Sequence, residues 1–440
     1  MVVIGGLVVF FSARNTRLDR ASGDRIAFDG RPPHRVSEFA RRCICDDLFK
    51  GKASAIQRAR RYMRLNPRKS VTDREYFEIL SNSTCAEFAI RSGYFTSPAS
   101  REELNFPLAY GILVYENFEQ FERLFRAIYA LQNYYCIHVD RKSAAAFYNA
   151  VAKLTGCFEN AYVVGTRVDV RWGEFSLLEA EVACARDLLK YKRWKYYINL
   201  TGHEFPLFSN RQLVRVFKAY NGSNDIDVQT EDIWKGRWTF RWYAAFNRTN
   251  ELKEPVPYNL TTRKGELHVT ASREFMEFAL TDEKAQAFYY WLRDILIPDE
   301  SFYTTLNFNS ALCAPGSFAG WAKEKSAHYE ARYKNWRTRQ PEFMGGKPIQ
   351  CQGRFRNDIC IPGVGDLSKF AQPTNKKLFL NKLRQDFEYL TYDCLEDYHR
   401  NLTMRSTSND FAFDDSFYRN LIFVKKKRDC RSRSYGVDYR

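Results

Sequence analysis

The chain has no glycine-rich phosphate loop. Neither GxGxxG nor GxxxxGK[ST] occurs in it, which excludes the dinucleotide fingerprint and the P-loop as ways of holding a nucleotide. HExxH and CxxC are also missing, and the six histidines never fall beside cysteine at zinc spacing, which argues against the common zinc sites. Long apolar runs are scarce. The stretch MVVIGGLVVFFSARN is apolar over residues 1–13 only, short of the ~20 residues a spanning helix needs. It reads as a short leader or as a membrane anchor lacking its start. The formal charge of +16 is not concentrated anywhere except in the run from Lys425 to Arg433. A terminal basic run reads as a solvated tail, and no nucleic-acid partner is expected.

What is present is apolar and aromatic. The 440 residues are 45% hydrophobic, with 35 Phe and 27 Tyr, enough for a large core in one to three domains. Residues 106–142 organise the chain. An apolar run, 108–115, has strand length and composition. Asn117 with Gln120 three residues on has the form of a capping box. Phe118, Phe121, Phe125 and Ile128 then recur at helical spacing, and a second run, 135–139, ends in Asp140. Strand, helix, strand in that length is a parallel crossover unit. The pattern repeats with a strand at 161–164, a helix from a second box at Ser176 and Glu179 to about Lys190, and a strand at 194–200. Residues 106–205 thus read as the nucleotide-binding half of an α/β fold, with its ligand at the carboxyl ends of the strands, where Asp140 lies. A helical stretch at about 272–294 follows. Residues 14–105 read as a stem that packs on the core in its later part.

The eleven cysteines are scattered, and sequons stand at Asn82, Asn199, Asn221, Asn247, Asn259 and Asn401. Together they favour a secretory compartment, where disulfides persist. Asn199 falls inside a core strand and is expected unmodified.

From about Cys45 to Leu402 the sequence resembles the β-1,6-N-acetylglucosaminyltransferases that branch mucin-type O-glycans, the core 2 and I-branching enzymes. FPLAY (106–110), RAIYALQNYYCIHVDRK (126–142), WKYYINLTGHEFP (194–206), PDE (298–300), APGSF (314–318), GVGDLS (363–368) and LFLNKL (378–383) carry the resemblance in order. It implies a GT-A fold with a Rossmann-like half and mixed sheet. It also implies a catalytic domain over 106–424, a UDP-GlcNAc donor, an O-glycan acceptor of the Galβ1-3GalNAc type, inversion without a metal cofactor, and a lumenal domain on a type II Golgi anchor. PDE followed by Ser301 and Phe302 is also similar to the peptide O-xylosyltransferases, and a lapsed glycan-binding relative is a third reading.

Site residues follow from the same resemblance. Inverting transfer needs one base to take a proton from the attacking hydroxyl and positive charge on the leaving diphosphate. Glu300 matches the base, Lys382 the diphosphate lysine and Asp140 the uridine contact. The family's arginine, three residues before the second cysteine of a C-x8-C loop, is Asn357 here, so Arg356 is the candidate after one residue of slip. Asp227, Lys235, Arg237 and Trp336 fall near acceptor-contacting positions, with Lys235 displaced by one and Thr338 where the family has an aromatic. The implied disulfides are Cys45–Cys394, Cys85–Cys157, Cys136–Cys184 and Cys351–Cys360, leaving Cys43, Cys313 and Cys430 over. Asp225-Ile226-Asp227 has the form of a metal motif, but it comes too late in the chain to close an early donor strand.

Overall fold

The computed structural model describes residues 45–95, 100–229, 235–244, 247–322, 329–337, 343–344, 347–348, 350–408 and 410–428. The leader 1–13, Cys43, Thr338, Cys430 and the end of the basic tail lie outside them. The strands among the described residues are β1 (Leu108–Val114), β2 (Tyr134–Val139), β3 (Ala161–Val163), β4 (Tyr196–Thr201), β5 (Glu204–Pro206), β6 (Asp225–Ile226), β7 (Phe240–Ala244), β8 (Asn247–Leu252), β9 (Val269–Ser272), β10 (Arg332–Tyr333), β11 (Phe343–Met344), β12 (Lys347–Pro348), β13 (Arg354–Arg356), β14 (Ile359–Ile361) and β15 (Phe379–Asn381).

The main sheet runs β3-β2-β1-β4-β9-β6. β1 lies parallel to both β2 and β4, and β9 runs antiparallel to β4 and β6. A mixed α/β sheet is therefore the architecture. β1 is buried on both faces, as its continuous apolar run requires. Leu108, Tyr110, Ile112 and Val114 enter one core with Phe118, Phe121 and Phe125, while Ala109 enters the other with Leu178 and Val182. Gly111 sits where a Cβ would come 2.3 Å from the Tyr197 hydroxyl, so only glycine fits between β1 and β4. Tyr76, Leu80 and Phe88, from the helices Asp73–Ser81 and Cys85–Ser92, join the first core.

Several local expectations need correction. Asn117 caps the helix Phe118–Ile128 by accepting from Gln120 N at 3.1 Å, but the box is not closed. The Gln120 amide instead donates to Gly202 O at 2.7 Å and Leu383 O at 3.1 Å, tying the helix to the strand ends. The helix Phe175–Leu188 starts before Ser176, whose hydroxyl accepts from Arg171 N at 2.9 Å and so serves the preceding loop. The expected stretch at 272–294 is two helices, Arg273–Thr281 and Glu283–Trp291, because extended Asp282 breaks the first and caps the second.

All four implied disulfides are present: Cys45–Cys394, Cys85–Cys157, Cys136–Cys184 and Cys351–Cys360. Cross-links of this kind each stabilise by about 2–4 kcal/mol. Cys313, left over by the resemblance, is itself disulfide-bonded. The start of the basic tail is docked rather than solvated. Lys427 bridges Phe318, and Arg428 N donates to Ser317 O at 2.7 Å. Asn199 is buried, its amide donating to Leu267 O at 2.8 Å and Glu181 Oε1 at 3.1 Å, which leaves no room for a glycan. The other five sequon asparagines are exposed.

Burial pushes four imidazoles down to about 4: His138, His203, His268 and His399. The native state therefore binds fewer protons than the unfolded chain, whose histidines titrate near ~6.5. Their contribution is fully present above that pH and is lost as the pH falls through it towards about 4. Thermal melts at fixed ionic strength should show Tm falling across this window, and a flat Tm between about pH 7 and pH 5 would contradict the assignment.

Candidate active site

The base candidate is set by a short rigid turn. Ile297 takes a left-handed conformation (φ 52°), and Pro298 opens the single 3-10 turn Pro298–Glu300. Proline suits this first position because its φ is already fixed there. Glu300 Oε2 accepts from Arg237 Nη1 at 2.6 Å and lies 3.4 Å from Lys264 Nζ. Its backbone carbonyl accepts from Gly265 N at 2.7 Å. A Cβ at Gly265 would come 2.0 Å from Thr304 Oγ1 and 2.3 Å from Asp227 O. The missing side chain thus lets Asp227 close on the Glu300 turn. Burial and the neighbouring Glu300 carboxylate push Asp299 up to about 7.

A second group of charges lies at the ends of the small sheet β10-β15-β5. Lys382 follows β15. Burial pushes its ammonium down, and the like charges of Lys334, Arg356 and Arg384 push in the same direction. Arg356 ends β13 and faces Ile359 across a hairpin whose turn is Asn357-Asp358. Arg384 Nη1 lies 3.8 Å from Glu116 Oε1, just past the end of β1, and the charges of Arg384 and Arg356 act on the neighbouring Tyr115 phenol. Half-buried Trp336 bridges Ile359, which sets it along the same hairpin.

Asp140 ends β2 and is nearly buried. Its Oδ1 accepts from Lys142 N at 2.8 Å, and Lys142 Nζ lies 3.1 Å from Oδ2. Arg167 Nη2 donates to Asp140 O at 2.8 Å. Arg167 belongs to the loop between β3 and the helix Phe175–Leu188, and the carbonyl of Gly173 in that loop accepts from Ile297 N at 2.9 Å, three residues before Glu300. The loop therefore spans from the end of β2 to the base turn.

The structure joins Arg237 to Glu300, with the backbone of Asp227 packed on Gly265 beside that turn, and sets Trp336 and Arg356 along one hairpin, with the Arg356 charge acting on Lys382. Lys235 is exposed at the start of the short helix Gly236–Thr239, two residues before Arg237. Sequence reasoning missed Lys264, Lys334 and Arg384. Only Arg384 had a visible signal, as a cation two residues after Lys382. Asp225 does not fit a donor metal site. It is fully buried on β6, four strands from β2, and its Oδ2 accepts from Glu330 N at 3.0 Å. Among the described residues, one trio has metal-ligand spacing, Cys351, Cys360 and Asp366, and its two sulfurs are joined to each other.

The family model for core-2/I-branching enzymes matches residues 108–370. The chain is 34% identical over 341 residues to human β-1,3-galactosyl-O-glycosyl-glycoprotein β-1,6-N-acetylglucosaminyltransferase 3, covering 76% of each chain. It is 36% identical over 347 residues to mouse N-acetyllactosaminide β-1,6-N-acetylglucosaminyl-transferase, covering 76% of this chain and 82% of the mouse protein. A β-1,3-galactosyl-O-glycosyl-glycoprotein β-1,6-N-acetylglucosaminyltransferase of bovine herpesvirus 4 is 34% identical over 347 residues, with 77% and 78% covered. The mixed α/β sheet is that of a GT-A-like glycosyltransferase, a class that draws on a sugar nucleotide. Within that class the chain belongs to the core-2/I-branching enzyme family.

Glu300→Gln keeps the shape of the turn but removes the carboxylate that is the candidate base. Turnover should fall by about 10²–10⁴, the usual worth of a positioned base, with donor binding retained. Near wild-type turnover in a folded variant would remove Glu300 from the role.

Proposed function

We propose that the protein transfers N-acetylglucosamine from UDP-GlcNAc in β-1,6 linkage to an O-glycan core of the Galβ1-3GalNAc type, with inversion and without a metal cofactor. The observation that carries this reading is the state of the Glu300 carboxylate. Arg237 and Lys264 engage Oε2, while Oε1 has no partner among the described residues. Oε1 is then the oxygen that takes the proton from the acceptor hydroxyl as that hydroxyl attacks the anomeric carbon. The bond to the diphosphate breaks, and UDP leaves with the electron pair. Lys382 and Arg356 meet the charge that develops on it, work that a fixed cation does well where water is scarce. Asp140 is assigned to the uridine side, and Asp227, Lys235, Arg237 and Trp336 to the acceptor side, an indole being suited to stack on a sugar face.

The activities for which the relatives are named support N-acetylglucosamine as the sugar, and none of the relatives reported is named for xylose transfer. The buried, engaged state of Asp225 supports a mechanism that does not route the donor through Asp225 and Asp227. The reading includes a catalytic domain over 106–424 preceded by a stem and an N-terminal anchor, with the enzyme in the Golgi lumen.

A donor screen on a core-1 acceptor tests the reading. UDP-GlcNAc should give a β-1,6-branched product, UDP-xylose should not, and activity should persist in excess EDTA. Lys382→Ala should nearly abolish transfer, and Arg356→Ala should weaken UDP binding. If EDTA stops the reaction and manganese restores it, Asp225 and Asp227 return as donor ligands and the Lys382 assignment falls.

A further inference from the structure

The two charge clusters meet at Lys334. β10 and β15 are parallel, with Arg332 beside Phe379 and Tyr333 beside Leu380. Lys334 directly follows β10, and Lys382 directly follows β15. Both lysines therefore leave the same end of one small sheet, at the carboxyl ends of two parallel strands. Lys334 is nearly buried, yet its two polar neighbours do not exhaust it. Its Nζ donates to Glu266 Oε2 at 2.6 Å and to His268 Nδ1 at 3.0 Å. Burial keeps that imidazole neutral down to about pH 4, so Nδ1 can accept. An ammonium has three N–H donors. Among the described residues, nothing accepts from the third.

The charge balance at this end is positive. Glu204 is matched by Arg332 at 2.8 Å, Glu266 by Lys334, and Arg384 by Asp386 at 2.9 Å and 3.0 Å. No carboxylate among the described residues pairs with Lys382 or Arg356. Arg356 is exposed and Lys382 half-buried; a partly desolvated ammonium without counter-charge is unfavourable, and an anion bound at this end offsets that. The backbone also ties this spot to the base. Lys264 meets Glu300, and two residues on, Glu266 meets Lys334.

We propose that Lys334 is a second lysine of the diphosphate site, held by Glu266 and His268 with one N–H directed to a phosphate oxygen of the donor. The proposal rests on the reading of a UDP-sugar donor given above. Calorimetry with UDP and with uridine, which lacks phosphate, tests it. Lys334→Met should weaken UDP binding about tenfold or more, the worth of a charge-assisted hydrogen bond, and leave uridine binding unchanged. Lys334→Arg should restore much of the loss. Because Lys334→Met alone strands the Glu266 charge in the interior, the double variant Lys334→Met/Glu266→Gln serves as the folded control and should show the same loss. If both variants fold and bind UDP as the wild type does, Lys334 is only the counter-ion of Glu266 and the proposal is overturned. If the folded wild type does not bind UDP at all, the donor reading falls, and this inference with it.

Discussion

The buried Glu204 carboxylate holds the active edge together. It sits at the corner where β4 gives way to β5, fully out of water. Burial alone would push its pKa up, but Arg332, His268 and Lys334 outweigh that and hold it at about 2. Oε2 accepts from Arg332 Nε at 2.8 Å, and Oε1 from Asn381 Nδ2 at 3.1 Å and Thr201 Oγ1 at 3.2 Å, with the His268 ring against it. One carboxylate thus joins the end of β4 to β10 and β15, the strands that deliver Lys334 and Lys382. Breaking a buried ion pair by removing one partner costs about 3–5 kcal/mol, because the other charge stays buried. The two lysines proposed for the donor side are consequently placed by an interaction between protein groups alone.

A second ionic knot fixes the opposite side of the strand ends. The helix Phe118–Ile128 buries its aromatic stripe in the main core, and much of its polar face is buried as well. Arg123 donates to Asp393 at 2.8 Å and to Glu396 at 2.6 Å, and Arg126 reaches Glu396 at 2.5 Å. These carboxylates belong to the helix Leu390–Ser406, which Cys394 links to Cys45. The segment after Lys382 runs between the two helices. Its Gln385 N donates to Gln120 Oε1 at 3.1 Å. The Lys382 loop is therefore gripped from Glu204 on one side and from Gln120 on the other.

Much of this was legible in the sequence, and the failures have physical causes. The apolar runs of β1, β2 and β4 declare themselves because strands buried on both faces must be continuously hydrophobic. The aromatic stripe of the first helix follows from helical periodicity. Nothing local, however, says that Arg123 is buried. Its partners lie 270 and 273 residues away along the chain, and a charged position next to an apolar stripe reads as solvent-facing until the second helix arrives. Lys264 and Lys334 were invisible for the same reason. Each is one lysine among many, given meaning only by the carboxylate that tertiary structure puts beside it. The capping boxes failed differently. Gln120 and Ser176 have the right spacing, but other backbone groups compete for their hydrogen bonds and win.

The proposed assignment of Arg356 to the diphosphate has a basis in local backbone chemistry. The Cys351–Cys360 disulfide closes the hairpin β13–β14 and fixes where its turn falls. That turn is Asn357-Asp358, with φ values of 50° and 59°. Two consecutive residues at positive φ form the tight turn that favours asparagine, aspartate and glycine, because other side chains crowd the backbone there. A long cationic side chain at position 357 would have to adopt that conformation. At position 356 it ends a regular strand opposite Ile359, and its charge still reaches Lys382 and Tyr115. A cation acts on a diphosphate through its position in space rather than its place in the sequence. An arginine one residue earlier, on a hairpin pinned by its own disulfide, can therefore supply the same field while the turn keeps the residues its geometry prefers.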